Sequence, residues 1–562
     1  MRDDGSHGSD DLGWLDERGG DSPVALVDDE ASDELASEML STVHADPGDE
    51  PPSVEDDRPA AGSRLDRVVD RVMRRPRAWW DAPWDNARTW RLIVTAASLS
   101  ITTVAVMLVV HFNPIPFLGG EGDLIFDETT PTGGDMGAHV WAPAFLRDHL
   151  LPLGQLSGWT MDWYGGLPLY RFYMVIPALA IVALDVILPY GVAFKLVAMS
   201  GLVTFPAACW AFGRLAAFRH PIPELFAFAG LSFLLDESFE IYGGNVKSTM
   251  AGEYSFSIAL TLSVLGLGLL AHGLRTGRFR VWAAVVLSLA CVSHGIVLIF
   301  TAFAALVICI VWCVARFELQ RVLFTVTTGI TTLLLMAWWV GPFLLGHEFM
   351  TDMKYGFRPS GPTDSFWDMF FPLTTALDIA VSALAVIGFV SFVLRRQLTG
   401  ISIGLICLLF ALGVYVTRGS IPGLGLLWNP RLLPFVYLTR YLLMVAGAYE
   451  LLSWAVNAWR RQVAGSELRA ADSFGVFSVL AVSMMVVFGW MYEVLPGGGR
   501  VTITNSDGQV TSVYAWGPVQ KLPTSGRAVA DGWTRYNWQG YEGRPAYPAY
   551  HDLVTTMDDV GS

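Results

Sequence analysis

The sequence predicts an all-α polytopic membrane protein, and three observations carry that prediction. Of 562 residues, 53% are hydrophobic and only 16% are charged, whereas a soluble domain carries about 25% charged residues. The apolar residues gather in blocks of about 18 to 25, the length an α-helix needs to cross a hydrocarbon core. The charge is also partitioned. The net value of −15 is almost wholly the work of residues 1–62, which hold nineteen Asp and Glu against three Arg, and the remainder is balanced at 34 basic against 33 acidic. No basic patch of the nucleic-acid-binding kind is visible. All five cysteines (Cys209, Cys291, Cys309, Cys313, Cys407) lie in apolar blocks, so no disulfide framework is expected. Cys309 and Cys313 read as soft packing on one helix face rather than a metal pair.

Residues 1–63 have the acidic, Gly/Ser/Pro-rich and aromatic-poor composition of a disordered cytoplasmic tail. They are not a signal peptide, because the first apolar run begins about ninety residues in. Residues 64–90 form a basic juxtamembrane segment with Trp79, Trp80 and Trp84, a pattern that favours a cytoplasmic start with tryptophans at the interface. A transmembrane domain is expected over 91–495. Its first span covers about 91–112, and a polar, aromatic segment from 113 to 170 follows outside. Apolar blocks then recur near 171–189, 191–213, 222–238, 253–273, 281–293, 295–316, 321–345, 373–394, 399–416, 435–456 and 473–494. If every block crosses, the Arg-bearing connections at 214–220 and 272–280 fall outside, against the positive-inside bias. If 171–189, with Pro177, Asp185 and Pro189, dips in without crossing, all five basic connections become cytoplasmic. The expectation is therefore about eleven spans plus one re-entrant or juxtamembrane segment, with the N-terminus cytoplasmic and the C-terminus extracytoplasmic at the plasma membrane. The 281–316 stretch starts and ends at basic flanks, so it must go up and return, breaking at Ser293-His294-Gly295. Residues 496–562 form a small extracytoplasmic, β-containing region with a hairpin over 501–514 turning at Asp507-Gly508.

Cytoplasmic connections are short and basic, whereas the outer loops are long and polar, so chemistry is expected on the outer face. In Gly133-Gly134-Asp135, glycines leave the backbone open for close approach by a ligand. If 136–150 is helical, Asp135 and His139 stand one turn apart and could share a proton or a divalent cation such as Mg or Mn; the plainer reading makes Asp135 an N-cap. The second loop offers Asn245, Lys247 and Glu253 as a surface for sugar or phosphate, although a helix N-terminus alone would account for Glu253. Arg431 precedes a span containing Arg440, which either snorkels to the headgroups or serves an anion such as a lipid-linked phosphate. The loop over 354–361 could close over the same site.

An Asp in the first outer loop, an acidic residue in the second and a juxtamembrane helix between them resemble the GT-C glycosyltransferase superfamily. The segments GGDMGAHVW (133–141), YGGNVKSTMAGEYSFS (242–257), SHG (293–295) and WNPRLLPFVYLTRY (428–441) are similar to those of actinobacterial membrane proteins labelled 6-pyruvoyl-tetrahydropterin-synthase-related. The layout is also similar to the membrane domains of mycobacterial arabinofuranosyltransferases. The resemblance covers about 91–560. It implies transfer of a sugar from a polyprenyl-phosphate donor to a glycan or lipid acceptor in cell-wall biogenesis, with membrane lipids and no nucleic acid as partners. It also implies that an extracytoplasmic region continues past this chain's end. On that reading Asp135 is the catalytic base and Glu253 orients the acceptor or a metal, with His139 and His294 as supporting groups. Lys247, Arg431 and Arg440 hold phosphate, Asn245 lines the binding surface, and Trp159, Trp163 and Tyr164 stack on sugars. The rivals are a lipid-linked sugar transporter or flippase, which would need midplane polar residues and repeated halves, and a catalytically silent scaffold.

Overall fold

The computed structural model describes residues 86–112, 124–239, 241–350, 366–373, 375–417, 427–463, 499–504, 510–516, 519–520 and 530–560, with a few helical residues between 475 and 483. The chain divides into Met1–Ala82 and Pro83–Ser562, and every described residue belongs to the second unit. The acidic tail, the tryptophans of the juxtamembrane segment, the loop over 354–361 and most of the 473–494 block lie outside the described residues.

The chain enters through α1 (Asn86–Val109) and passes a 3-10 turn (Leu124–Phe126) to α2 (Met136–Phe145). A small hairpin, β1 (Gly158–Thr160) and β2 (Leu167–Leu169), precedes α3 (Ile176–Asp185). The bundle continues with α4 (Tyr190–Leu215), α5 (Ile222–Leu234), the single turn α6 (Val246–Met250), α7 (Tyr254–Thr276), α8 (Arg280–Ser293) and α9 (Gly295–Ala315). It is completed by α10 (Leu319–Leu345), α11 (Thr375–Leu394), α12 (Leu398–Val416) and α13 (Leu433–Val463). Strands β3 (Gly499–Thr504), β4 (Val510–Trp516) and β5 (Val519–Gln520) form an antiparallel sheet, followed by α14 (Ala530–Gln539) and α15 (Tyr547–Val560). The expected strand pairing is present, with Val501 opposite Val513 and Thr504 opposite Val510, while the turn expected at Asp507-Gly508 lies outside the described residues.

This is an all-α polytopic membrane protein. Eight of the described helices are long and apolar enough to cross a membrane, and they coincide with eight of the eleven expected spans. The blocks at 222–238 and 281–293 are shorter helices, α5 of 13 and α8 of 14 residues. At 1.5 Å per residue they reach only about 20 Å, short of a hydrocarbon core of about 30 Å. The 171–189 block contains α3, ten residues long and about 15 Å in length. A helix of that size cannot cross alone, in line with the segment that dips in and returns.

Local chemistry sets the boundaries. Gly277, at φ 72°, closes α7 in the left-handed conformation that favours glycine. His294 is extended, at φ −162° and ψ 126°, and breaks the long apolar stretch into α8 and α9 where the sequence placed the break. Helix α13 is the hub: 89% of its apolar window is buried, against 22% for α10, which turns Leu323, Ile330, Leu333 and Leu334 outward. Helix α13 packs against α5, α11 and α12. It meets α11 where Gly388 faces the Leu443 carbonyl and Gly447 the Leu384 carbonyl; small residues allow such backbone approach in a bilayer, where packing rather than water expulsion drives association.

Candidate active site

Four helix starts gather at one end of the bundle. Asp135 occupies the N-cap position of α2, Glu253 that of α7 and His294 that of α9, while Arg431 lies in the 3-10 turn Asn429–Leu432 that leads into α13. Each helix start presents unpaired N–H groups and the positive end of a macrodipole, so the region favours negative charge before any side chain is counted.

The loop carrying Asp135 is pressed onto the turn carrying Glu253. The Asp135 amide donates to the Ala251 carbonyl at 2.9 Å. Gly252, at φ 122°, faces Asp135 so closely that an added Cβ would stand 2.7 Å from the Asp135 Cβ. Asp135 has helical backbone angles and makes no side-chain cap hydrogen bond. Its carboxylate is exposed, so the capping role that its position allowed is not the one it plays here.

Of the two acids, Glu253 is the more heavily engaged. One oxygen pairs with the Arg431 guanidinium, and the other lies 3.5 Å from His294 Nε2. The Ile296 amide donates to His294 Nδ1 at 3.3 Å, which assigns the remaining proton to Nε2 and points that N–H at the carboxylate. Burial pushes the Glu253 carboxyl up, but the His294 hydrogen bond and the Arg431 charge outweigh it, and the group stays below its ordinary range. Burial pushes His294 down, more than the carboxylate raises it, so the imidazole is neutral at neutral pH.

His139 reaches the same space from the second turn of α2. Its Nε2 lies 3.2 Å from the Tyr173 hydroxyl, and its ring stands 5.4 Å from that of Tyr173 and 5.6 Å from that of Tyr254. Burial lowers its basicity, with the Glu253 and Asp135 charges acting the other way. The Tyr173 hydroxyl is held above its ordinary range, first by burial and then by the Glu253 charge; the Trp339 indole donates to its carbonyl at 3.0 Å and pins the segment.

The structure thus brings together Asp135, His139, Glu253, His294 and Arg431, and places Asn245 and Arg440 elsewhere. Asn245 caps α6, accepting from the Ser248 amide at 2.8 Å and donating to the Asp236 and Phe239 carbonyls, so its amide holds the loop together. Lys247 is buried within α6. Arg440 lies more than two turns further along α13, buried rather than snorkelling. Its Nη1 donates to the Phe370 carbonyl at 3.1 Å, and its Nη2 lies 3.2 Å from Asp378. Asp236, held by the Tyr441 hydroxyl at 2.7 Å, completes this second polar cluster. Trp163 stacks on Trp141 at 5.9 Å, while Trp159 and Tyr164 stand exposed on the hairpin beside α2.

Sequence reasoning passed over Tyr173, Asp378 and Lys195. A lone Asp within the 373–394 block was the available signal for Asp378, since an intramembrane Arg calls for a partner. Lys195, fully buried, donates to the Leu124 and Asp127 carbonyls and the Thr129 hydroxyl, tying down the loop that leads to Asp135. Among the described residues no three His, Cys, Asp or Glu side chains stand close enough to hold a metal.

No protein-family model and no curated protein matches the chain. Among solved structures, it is similar to an oligosaccharyltransferase of Archaeoglobus fulgidus tethered to an acceptor peptide, with 12% identity and a TM-score of 0.45, over 70% of this chain and 54% of that one. A second similar structure is the archaeal oligosaccharyltransferase AglB from Archaeoglobus fulgidus with an inhibitory peptide and a dolichol-phosphate, with 12% identity and a TM-score of 0.34, over 72% of this chain and 58% of that one. The chain spans a little over half the length of these structures.

Proposed function

We propose that the chain is a membrane glycosyltransferase of the GT-C type that moves a sugar from a polyprenyl-phosphate donor to a cell-envelope acceptor at the outer membrane face. One observation supports the reading: an exposed, uncapped Asp135 lies on a loop bonded to the turn that carries Glu253, and Glu253 pairs with Arg431, at a place where four helices begin. A base and an anion holder within one site are what displacement at an anomeric carbon requires.

In the proposed reaction Asp135 accepts the proton of the acceptor hydroxyl. The acceptor oxygen bonds to the anomeric carbon as the bond from that carbon to the phosphate oxygen breaks, and the electron pair leaves with the phosphate. Positive charge develops on the sugar, as in glycosidases. Arg431 and the helix starts stabilise the departing phosphate. Glu253 holds the guanidinium in position, and neutral His294 donates to Glu253 without adding charge. His139 and Tyr173 form the opposite wall, where their polar atoms can orient the acceptor. With this site outside, the basic connections lie in the cytoplasm, together with the N-terminus.

The test is Asp135→Asn in the full chain, reconstituted in vesicles with polyprenyl-phosphate sugars and assayed for transfer of labelled sugar. Loss of a general base costs about 10²- to 10⁴-fold in turnover, with donor binding retained. Turnover equal to wild type removes Asp135 from the chemistry, and a wild-type chain that moves the intact lipid across the bilayer without transferring sugar identifies a transporter instead.

A further inference from the structure

Helix α14 is docked against the loops that carry Asp135 and Glu253, and its contacts fall on both at once. The Thr132 amide donates to the Asn537 carbonyl at 3.1 Å, and Asn537 Nδ2 donates to the Met250 carbonyl at 2.7 Å. Thr132 lies three residues before Asp135, and Met250 three before Glu253. One residue therefore bridges corresponding points upstream of the two acids.

Around this bridge the fit is close. Gly133, at φ 95°, has no room for a Cβ because the Asn537 side chain occupies that space. Asn537 is 3% exposed, and Thr534 and Trp538 are fully buried. The Trp538 indole donates to the Val110 carbonyl at 3.1 Å, and its own carbonyl accepts from the Thr129 hydroxyl at 2.5 Å. The Thr130 amide donates to Glu542 at 2.9 Å, and the Tyr541 amide to the Thr130 carbonyl at 3.3 Å. From the opposite side Lys195 binds the same loop at Leu124, Asp127 and Thr129. The loop over 124–135 is thus clamped between α4 and α14, and the Asp135–Ala251 bond closes it onto the Glu253 turn.

We propose that α14 is part of the transfer site and that Asn537 is a positioning residue, which fixes the distance between Asp135 and the Glu253–Arg431 pair without touching substrate. Anchoring the C-terminus needs only Trp538 and the backbone bonds to Thr129 and Thr130. The amide of Asn537 instead spans two loops that are otherwise joined at Asp135–Ala251. This inference rests on the proposed transfer reaction for its consequence in turnover, but its structural part is measured separately.

The experiment compares wild type with Asn537→Ala and with the near-isosteric Asn537→Leu, which removes the donor to Met250 without burying a charge and decides the matter if the alanine variant does not fold. Hydrogen exchange on the full solubilised chain is expected to accelerate about tenfold, through local opening, over 130–139 and 248–254 together, with the melting temperature little changed. Turnover is expected to fall about 10- to 100-fold, the scale of a 1 Å misplacement, with KM for the lipid donor unchanged. Exchange changes confined to 530–544, or a lower melting temperature with wild-type turnover per folded molecule, overturn the proposal and leave α14 a structural anchor. If wild type transfers no sugar, the transfer reading fails by itself and the exchange pattern still decides whether Asn537 couples the two loops.

Discussion

Removing one member of the Arg440–Asp378 pair should destabilise the bundle far more than removing both. The side chains are 7% and 4% exposed and their charged atoms 3.2 Å apart. At an effective dielectric constant of about 20, two unit charges at that distance attract by about 5 kcal/mol. Taking each ion out of water costs several kcal/mol, so the pair as a whole is near neutral for stability. A single deletion leaves the other charge buried without compensation and should cost about 3–5 kcal/mol. Asp378→Leu should be the worse of the two, because guanidinium cannot shed its proton whereas a stranded carboxylate can take one up. Arg440→Met with Asp378→Leu should recover to within about 1–2 kcal/mol of wild type, as paired buried ions replaced by apolar residues commonly do. The assay is equilibrium unfolding of the four solubilised proteins as a double-mutant cycle. Additive losses, with the double variant as unstable as the two single costs combined, would refute the reasoning.

Other outcomes follow from the same geometry. Gly252→Ala puts a methyl group against Asp135 at a left-handed backbone position; turnover should fall about 100-fold by displacement of the base, measured against an unchanged melting temperature at a distant reporter. Glu253→Gln keeps the shape but releases Arg431 from its counter-charge, so donor KM should change less than turnover, which is read from steady-state kinetics. His139 and His294 are both held below the ordinary imidazole range, so the unfolded chain binds more protons as pH falls through about 6.5. Stability should therefore decline from about pH 6.5 downward, with a further loss below about pH 4.5 as the depressed Glu253 takes up its proton. Melting curves from pH 8 to pH 4 check the sign, and a stability maximum near pH 5 would contradict it. Trp538→Ala empties a fully buried site and should cost about 3–5 kcal/mol, measured by unfolding.

Much of this arrangement is legible in the residues. The break at His294 could be read because a thirty-six-residue, largely apolar stretch that starts and ends at basic flanks cannot make a single pass. The non-crossing segment could be read because one dip repairs five charge signs at once, and Pro177 and Asp185 mark it. Asp135, Glu253, His294 and Arg431 could be named because each opens a helix next to a polar loop. What could not be read is pairing across long sequence distance. Arg440 reads as a partner of Arg431 because they share a segment, but Arg431 in the 3-10 turn pairs with Glu253 while Arg440, within α13, pairs with Asp378. Asn245 reads as a binding amide until its partners, the Asp236 and Phe239 carbonyls, are seen. The helix over Ala530–Gln539 is amphipathic, but its contacts reach 287 residues back to Met250 and 409 back to Thr129. Those contacts depend on complementary shape, which periodicity does not encode.

The shortness of α8 has a further consequence for the surrounding lipid. The helix is fixed at its Arg280 end, where the guanidinium lies over the Phe324 ring at 5.5 Å, and Val281 and Trp282 face outward. With only about 21 Å of rise, α8 cannot reach across a hydrocarbon core of about 30 Å, and Ala290, Cys291, Val292 and Ser293 at its His294 end are all buried. Lipid therefore meets this helix mainly toward its Arg280 end, and protein rather than acyl chain surrounds the end that carries His294.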